Sequence, residues 1–360
     1  QGPALTVHGR WMTKFALAAR LGAAGMLLIH TSEDAGYGWE VVRNGWTRPV
    51  AYAPSSGGLV LEGWLTEAAA AQAARAAGLQ HGELRAAANR RDFRPQPLAL
   101  KVDARGLAKY ETVVSGNVAG VVRGRGPAGT APVVVLSAHH DHLGIGTPEN
   151  GDSVYNGAMD NGSALAILLG LARRLGARAG ELPVDLLFVA PAAEEAGLLG
   201  SERFVKESPV PLSRMAACLN LEMSAVWGPA RDLVAIGASE SALGAVVEAV
   251  AKREGLGVSP EPAPDQGFFY RSDQYSFARA GVPGIWIDLG DDLVGTPAGT
   301  GLARREEYRA KRYHHPQDEF DPAWELTGTA QLARVVELLV EEIGARGGKI
   351  PWKEGSPYRK

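Results

Sequence analysis

Two apolar runs, residues 133–137 (VVVLS) and 184–190 (VDLLFVA), constrain this chain more than any other feature. A strand with one wet face alternates apolar and polar side chains. A run apolar at nearly every position must be covered on both faces, which is the signature of a strand inside a parallel or mixed sheet. A third such segment spans 215–222, and 233–237 and 284–289 read as further strands. Helical spacing marks 163–175, 198–206, 240–254 and 324–345. Strands alternating with helices predict an α/β fold, a mixed, mostly parallel sheet flanked by helices.

The first hundred residues read differently. Residues 11–21 read as a short helix and 25–30 (GMLLIH) as a buried strand. Residues 39–58 look like a loop, and 65–77 a helix closed by Gly78. A chain of 360 residues has room for two domains. The division is placed at 1–105, a smaller N-terminal domain, and 106–360, the α/β domain.

Bulk properties exclude several partners. A net charge of −3 offers no broad attraction to nucleic acid or an anionic membrane. No apolar run reaches the roughly 18 residues of a membrane span. The single cysteine, Cys218, rules out an internal disulfide and a cysteine-rich zinc site, so any metal must be held by histidine and carboxylate. The chain starts at Gln1 without a signal-peptide pattern and reads as a processed or truncated product.

The chemistry follows the buried strands. Behind VVVLS stand His139, His140, Asp141 and His142. Behind VDLLFVA stand Glu194 and Glu195, and the third strand ends on Glu222. A fourth polar cluster, 155–162 with Asp160, leads into the 163–175 helix. In open α/β sheets the ligand crevice lies outside the carboxyl ends of the strands, so all four clusters share one edge. His and carboxylate are zinc ligands at neutral pH. His139 and Asp141, two apart on extended chain, point the same way, so one can bind metal while the other orients it. Adjacent Glu194 and Glu195 diverge, so one can hold a metal while the other acts as base. Each cluster alone has an ordinary reading: a surface His, a solvated helix start, an Asp-Asn-Gly turn. Their conjunction at strand ends carries the argument.

The motifs SAHHDHLG (137–144), NGAMDNGS (156–163) and AEEAGLLGS (193–201) resemble the co-catalytic two-zinc exopeptidases. That family includes leucyl-type aminopeptidases, with glutamate carboxypeptidase and the transferrin receptor as relatives. RSDQYSFA (271–278) and YHHPQDE (313–319) resemble its two later motifs. The resemblance implies a zinc exopeptidase fold and two Zn2+ ions per chain. His139 and Glu222 would hold one ion, Glu195 and His314 the other, and Asp160 would bridge them. Glu194 would be the general base that activates a zinc-bound water, and Asp141 would orient His139. His140, His142 and His315 are expected not to bind metal. The Asp160–Asn161 bond is expected to be cis, as in relatives of this kind. Residues 7–11, 22–25, His30 and 35–39 resemble part of a protease-associated domain. The chain is expected to begin inside that domain, without the peptidase segment that precedes it in such relatives.

Two positions depart from the family pattern: Glu222 stands where Asp is usual, and Gln274 where His is usual. The longer Glu222 side chain is expected to hold its ion less rigidly, giving two ions of unequal affinity. The resulting expectation is hydrolysis of a terminal peptide bond, with aminopeptidase favoured and a peptide as substrate, in a periplasmic or secreted setting. A single-zinc glutaminyl cyclase-like transferase and a non-catalytic receptor-like binding protein are the alternatives.

Overall fold

The computed structural model describes residues 6–52, 58–107, 109–224 and 226–359. Contacts divide the chain into two units. One takes in Val7–Val42 and Pro54–Val114; the other takes in Gln1–Thr6, Arg43–Ala53 and Ser115–Lys360. The division therefore crosses the chain more than once, and a short segment of the N-terminal third belongs with the large unit.

The smaller unit is built on two parallel strands, β1 (Gly25–His30) and β2 (Leu61–Thr66). Helix α1 (Trp11–Arg20) precedes β1, and the one-turn α2 (Ser32–Ala35) follows it. Trp11, Phe15 and Trp64 meet edge to face, with centroids 5.2–6.0 Å apart. Two strands cannot bury both faces, so β1 hides only His30, not the whole run the sequence suggested. Thr66 accepts a hydrogen bond from the Ala69 amide and caps α4 (Glu67–Ala76). The helix therefore starts later than composition suggests, and α5 (His81–Ala88) comes after it. Where a loop was expected, α3 (Trp39–Trp46) is helical. Asn44 and Gly45, weak helix formers, hide it from sequence. Residues 53–57 of that expected loop lie outside the described residues.

The larger unit holds a seven-stranded sheet. Its strands are β3 (Val118–Val122), β4 (Val133–Ser137), β7 (Asp185–Ala190), β8 (Met215–Asn220), β9 (Asp232–Ile236), β10 (Gly257–Ser259) and β11 (Gly284–Leu289). A separate hairpin joins β5 (Gly144–Glu149) to β6 (Asp152–Tyr155). The sheet order is β10-β9-β11-β8-β4-β7-β3, and only the β11–β9 and β3–β7 pairs are antiparallel. The fold is thus α/β with a mixed, mostly parallel sheet.

Period-two alternation sorts the core. Val134 and Leu136 of β4 face one helical layer, made by α6 (Ala164–Gly176), α8 (Leu243–Glu254) and α11 (Thr327–Ala345). Val133 and Val135 face Phe204 of α7 (Leu199–Lys206) and Phe277 of α9 (Gln274–Arg279). Helix α11 buries Leu332, Val335, Val336, Leu339 and Ile343, the i, i+3, i+4 stripe of an amphipathic helix. Each such side chain contributes roughly 1.5–3 kcal/mol by leaving water. Helix α10 (Thr300–Lys311), unmarked in the sequence reading, precedes His314.

Register fixes where the chemistry emerges. Ser137 of β4 lies opposite Val189 of β7 and Asn220 of β8. The segments that follow, beginning at 138, 191 and 221, leave the sheet at one edge.

Candidate metal centre

His139 sits two residues past β4, 1% exposed. Its Nε2 lies 3.0 Å from Glu222 Oε1, 3.4 Å from Asp160 Oδ1 and 4.0 Å from Glu194 Oε2. On the other side, His314 Nε2 lies 3.5 Å from Asp160 Oδ2 and 3.1 Å from Glu195 Oε2. The two imidazoles thus approach opposite oxygens of one buried carboxylate. All six of the residues proposed for ions and base converge here, from stretches 175 positions apart (139 to 314).

Asp141 departs from its expected contact. His139 Nδ1 lies 2.9 Å from the Asp141 backbone carbonyl, not from its carboxylate. The carboxylate instead accepts the Ala193 amide at 2.6 Å. Asp141 therefore orients the imidazole through its main chain and pins the Glu194 loop through its side chain. That loop is tight: Ala193 and Leu198 have φ of 55° and 63°, and the Glu194 carbonyl accepts the amides of Gly197 and Leu198. Gly200 closes it, because a Cβ there would meet the Ala192 carbonyl at 2.2 Å.

Asp160 is held by its backbone. The amides of Met159 and Asp160 donate to the two oxygens of Asp318, each at 3.0 Å, and Tyr308 Oη donates to Asp318 Oδ2 at 3.1 Å. The Asp160–Asn161 bond is cis. Asn161 then clamps both neighbours of Glu222, donating to the Leu221 carbonyl at 3.1 Å and accepting the Met223 amide at 2.9 Å. Gly157, at φ 67°, makes the turn; a Cβ there would strike the Asp160 carbonyl and His142.

Glu222 lies just past β8 rather than in it. A buried relay fixes its second oxygen. Ser137 donates to Asn220 Oδ1 at 2.6 Å, Asn220 Nδ2 donates to Ser272 Oγ at 2.8 Å, and Ser272 donates to Glu222 Oε2. Gln274, in the place of the usual His, is buried and donates to the Phe269 carbonyl at 2.9 Å, so it serves packing.

The three neighbouring histidines separate. His140 reaches the Gly116 carbonyl, and His315 Nδ1 lies 2.7 Å from Glu149 Oε2. His142, expected to be a neighbour that does not bind metal, lies against the cluster: its Nδ1 is 2.8 Å from Glu195 Oε1, and it groups with Asp160 and Glu195 as a possible metal-holding set.

Sequence reading missed several supports. Asn44, 1% exposed, donates to Glu149 Oε1 at 2.8 Å and to the His314 carbonyl at 3.1 Å. Arg48 donates to the Leu143 carbonyl at 2.8 Å. Both come from a stretch that carried no motif. Asp318 had one signal, its place in the last motif.

The electrostatics describe a site short of positive charge. Burial alone would lower His139, yet Glu222 and Asp160 outweigh it and hold the imidazole well above its usual value. Against burial, Glu195 and Asp160 carry His314 up to about 10. Burial drives Glu194 well above the ordinary carboxylate range. Burial opposes ionisation of Glu195 too, but His314 and His142 hold it well below that range. Among the described residues no Lys or Arg pairs with Asp160, Glu194, Glu195 or Glu222. Glu195 Oε1, His314 Nε2 and both ring nitrogens of His142 are buried with no protein partner aligned for a hydrogen bond, although His142 Nδ1 and Glu195 Oε1 lie only 2.8 Å apart and His314 Nε2 lies 3.1 Å from Glu195 Oε2. Buried anionic carboxylates beside orphaned imidazole nitrogens fit divalent cations, and the all-N/O donor set fits zinc.

Residues 117–339 match peptidase family M28, and the chain belongs to that family. No curated protein matches it. Among solved structures it is similar to BSAP, a zinc aminopeptidase from Bacillus subtilis, at 22% identity and TM-score 0.40, over 65% of this chain and 50% of that one. It is similar to the LapA aminopeptidase of Legionella pneumophila at 16% identity and TM-score 0.44, over 64% and 59%. It is also similar to the Porphyromonas gingivalis glutaminyl cyclase at 17% identity and TM-score 0.40, over 64% and 75%. The match spans about half the length of the first of these.

Proposed function

We propose that this chain is a zinc-dependent exopeptidase, an aminopeptidase in preference, that carries two ions and acts on peptides in a periplasmic or secreted setting. His139, Asp160 and Glu222 would hold one ion, and Asp160, Glu195 and His314 the other. The observation that carries this reading is Asp160, whose two oxygens each face a different imidazole. A single-ion centre has no need of that symmetry. When bound, zinc supplies Lewis acidity toward the scissile carbonyl and a nucleophile at neutral pH.

The protein groups do the rest. Glu194, buried and without a hydrogen-bonded cation, takes a proton from the attacking water and returns it to the leaving amine. Asp141 and the Gly197 and Leu198 amides hold it in place. The choice of the amino end rests on the motifs' likeness to leucyl-type aminopeptidases.

The test combines metal analysis with a substrate screen. Two zinc ions per chain and hydrolysis of aminoacyl amides are expected. Glu194→Gln should keep both ions and lose turnover by about 10²–10⁴-fold. One ion per chain with pyroglutamate formation from N-terminal glutamine would establish the cyclase instead. An inert protein with full metal content would point to a binding role.

A further inference from the structure

Asn44 stands where a polar side chain is unfavourable on two counts. It lies inside α3, where asparagine is a weak helix former, and it is almost fully buried. Its amide nitrogen donates to Glu149 Oε1 at 2.8 Å and to the His314 carbonyl at 3.1 Å, while its own oxygen is buried with no hydrogen-bond partner. A buried polar group left half-satisfied destabilises a fold, so a position that served packing alone would do better with an apolar side chain. The groups that the amide reaches account for its presence.

The carbonyl it holds belongs to a ligand of the proposed centre. His314 has φ 60°, a left-handed backbone that a non-glycine residue keeps only where its surroundings fix it. Among the described residues no other group donates to the His314 carbonyl. Asn44 is itself fixed, because Glu149, which accepts from it, also lies 2.7 Å from His315 Nδ1 and 3.7 Å from Arg43. The same short stretch reaches the other histidine-bearing loop. Arg48 donates to the Leu143 carbonyl at 2.8 Å, and Thr47 Oγ1 lies 3.4 Å from Thr147 Oγ1. The two loops meet where the rings of His142 and His314 pack edge to face, 5.4 Å apart. Residues 43–53 belong with the large unit, so all these contacts lie within it.

We infer that Asn44 is a positioning residue, which through the His314 main chain sets that imidazole toward Asp160 and Glu195, so that the ion on that side depends on residues 43–48. A ligand already held in its binding conformation loses less freedom when the metal arrives. The effect on metal rests on the two-ion reading; the hold on His314 does not.

Two measurements on the full-length chain separate these claims. Calorimetric titration of the metal-free protein with zinc should resolve two sites in the wild type. Asn44→Leu keeps the branched shape without the donation, and should weaken one site by about 10–100-fold while leaving the other unchanged. Asn44→Ala should act alike, and the unchanged site reports that the fold is intact. Thr47→Val and Arg43→Gln, which loosen the same stretch without touching His314, should leave both sites as they are. The imidazole resonance of His314 in the metal-free protein, followed at one pH, reads the ring without any ion. It should shift or broaden in Asn44→Leu and stay in place in Thr47→Val. An unmoved resonance, equal weakening of both sites, or an equal effect of Thr47→Val would overturn the inference, since Asn44 would then only dock the stretch. A wild type that binds fewer than two ions, with the resonance moved by Asn44→Leu alone, would overturn the two-ion reading and uphold the hold of Asn44 on His314.

Discussion

At the scale of single residues, Glu222 shows how a longer side chain is tamed. One extra methylene adds a rotatable bond, and from sequence that bond suggested a loosely held ion. In the fold the freedom is restrained by Ser272, itself fixed through Asn220 and Ser137. If Glu222 holds an ion as proposed, Ser272 would act on that ion through its hold on Glu222. Ser272→Ala should weaken the ion shared by His139 and Glu222 by about 10–100-fold, the range seen for groups that orient ligands. It should also cost about 1–3 kcal/mol of stability, because the buried Asn220 amide loses its acceptor. Calorimetric titration of metal-free protein with zinc, beside denaturant unfolding, measures both. A variant that binds both ions like the wild type would leave Ser272 without this role.

At the scale of elements, β8 is buried at every position, and its cysteine reports on that burial. Cys218 is fully buried, and desolvation pushes its thiol up to about 12 from an ordinary value of 9.0. The folded chain keeps the proton where the unfolded chain loses it. An acid whose affinity for protons rises on folding makes the fold less stable as pH climbs from about 9 to about 12. The slope in that window is about 1.4 kcal/mol per pH unit. Cys218→Ala should remove that slope in urea titrations between pH 9 and 11. At pH 8 the native protein should not react with a thiol reagent, and unfolding should expose one reactive thiol. Rapid labelling of the native chain would mean that β8 is not covered on both faces.

At the scale of the molecule, the sheet edge gathers more negative charge than its own imidazoles neutralise. In the metal-free protein, His139 and His314 are held protonated by the carboxylates around them. His314 titrates in the fold near 10 and in the unfolded chain near 6.5. The stability it contributes is complete below pH 6.5 and is lost as pH rises toward 10. On the proposed reading, metal ions would replace those protons. At pH 8, zinc binding should release about two protons per chain, one from each imidazole. Titrations in two buffers of different ionisation enthalpy would show it as a difference in heat, and equal heats would count against it. The metal-free protein should also lose thermal stability between pH 7 and 10 more steeply than the loaded one.

The amino-acid sequence determined the strands that are buried on both faces. The runs at 133–137 and 284–289 were read with the bounds the fold shows, because two-sided burial must be written into consecutive residues. It also determined that His139, Asp160, Glu194, Glu195, Glu222 and His314 would meet, since each follows an element whose end is fixed by that burial or lies in a motif. The edge strand β3 left no such trace, for most of its side chains are exposed. Only the tertiary structure decided that Asp141 orients His139 through its carbonyl and that His142 joins the cluster. It alone brought Asn44 to the His314 carbonyl from 270 residues away. Polar contacts of this kind depend on where the chain returns in space. Burial is paid for residue by residue and is legible along the chain, whereas a hydrogen bond between distant groups has no local pattern to read.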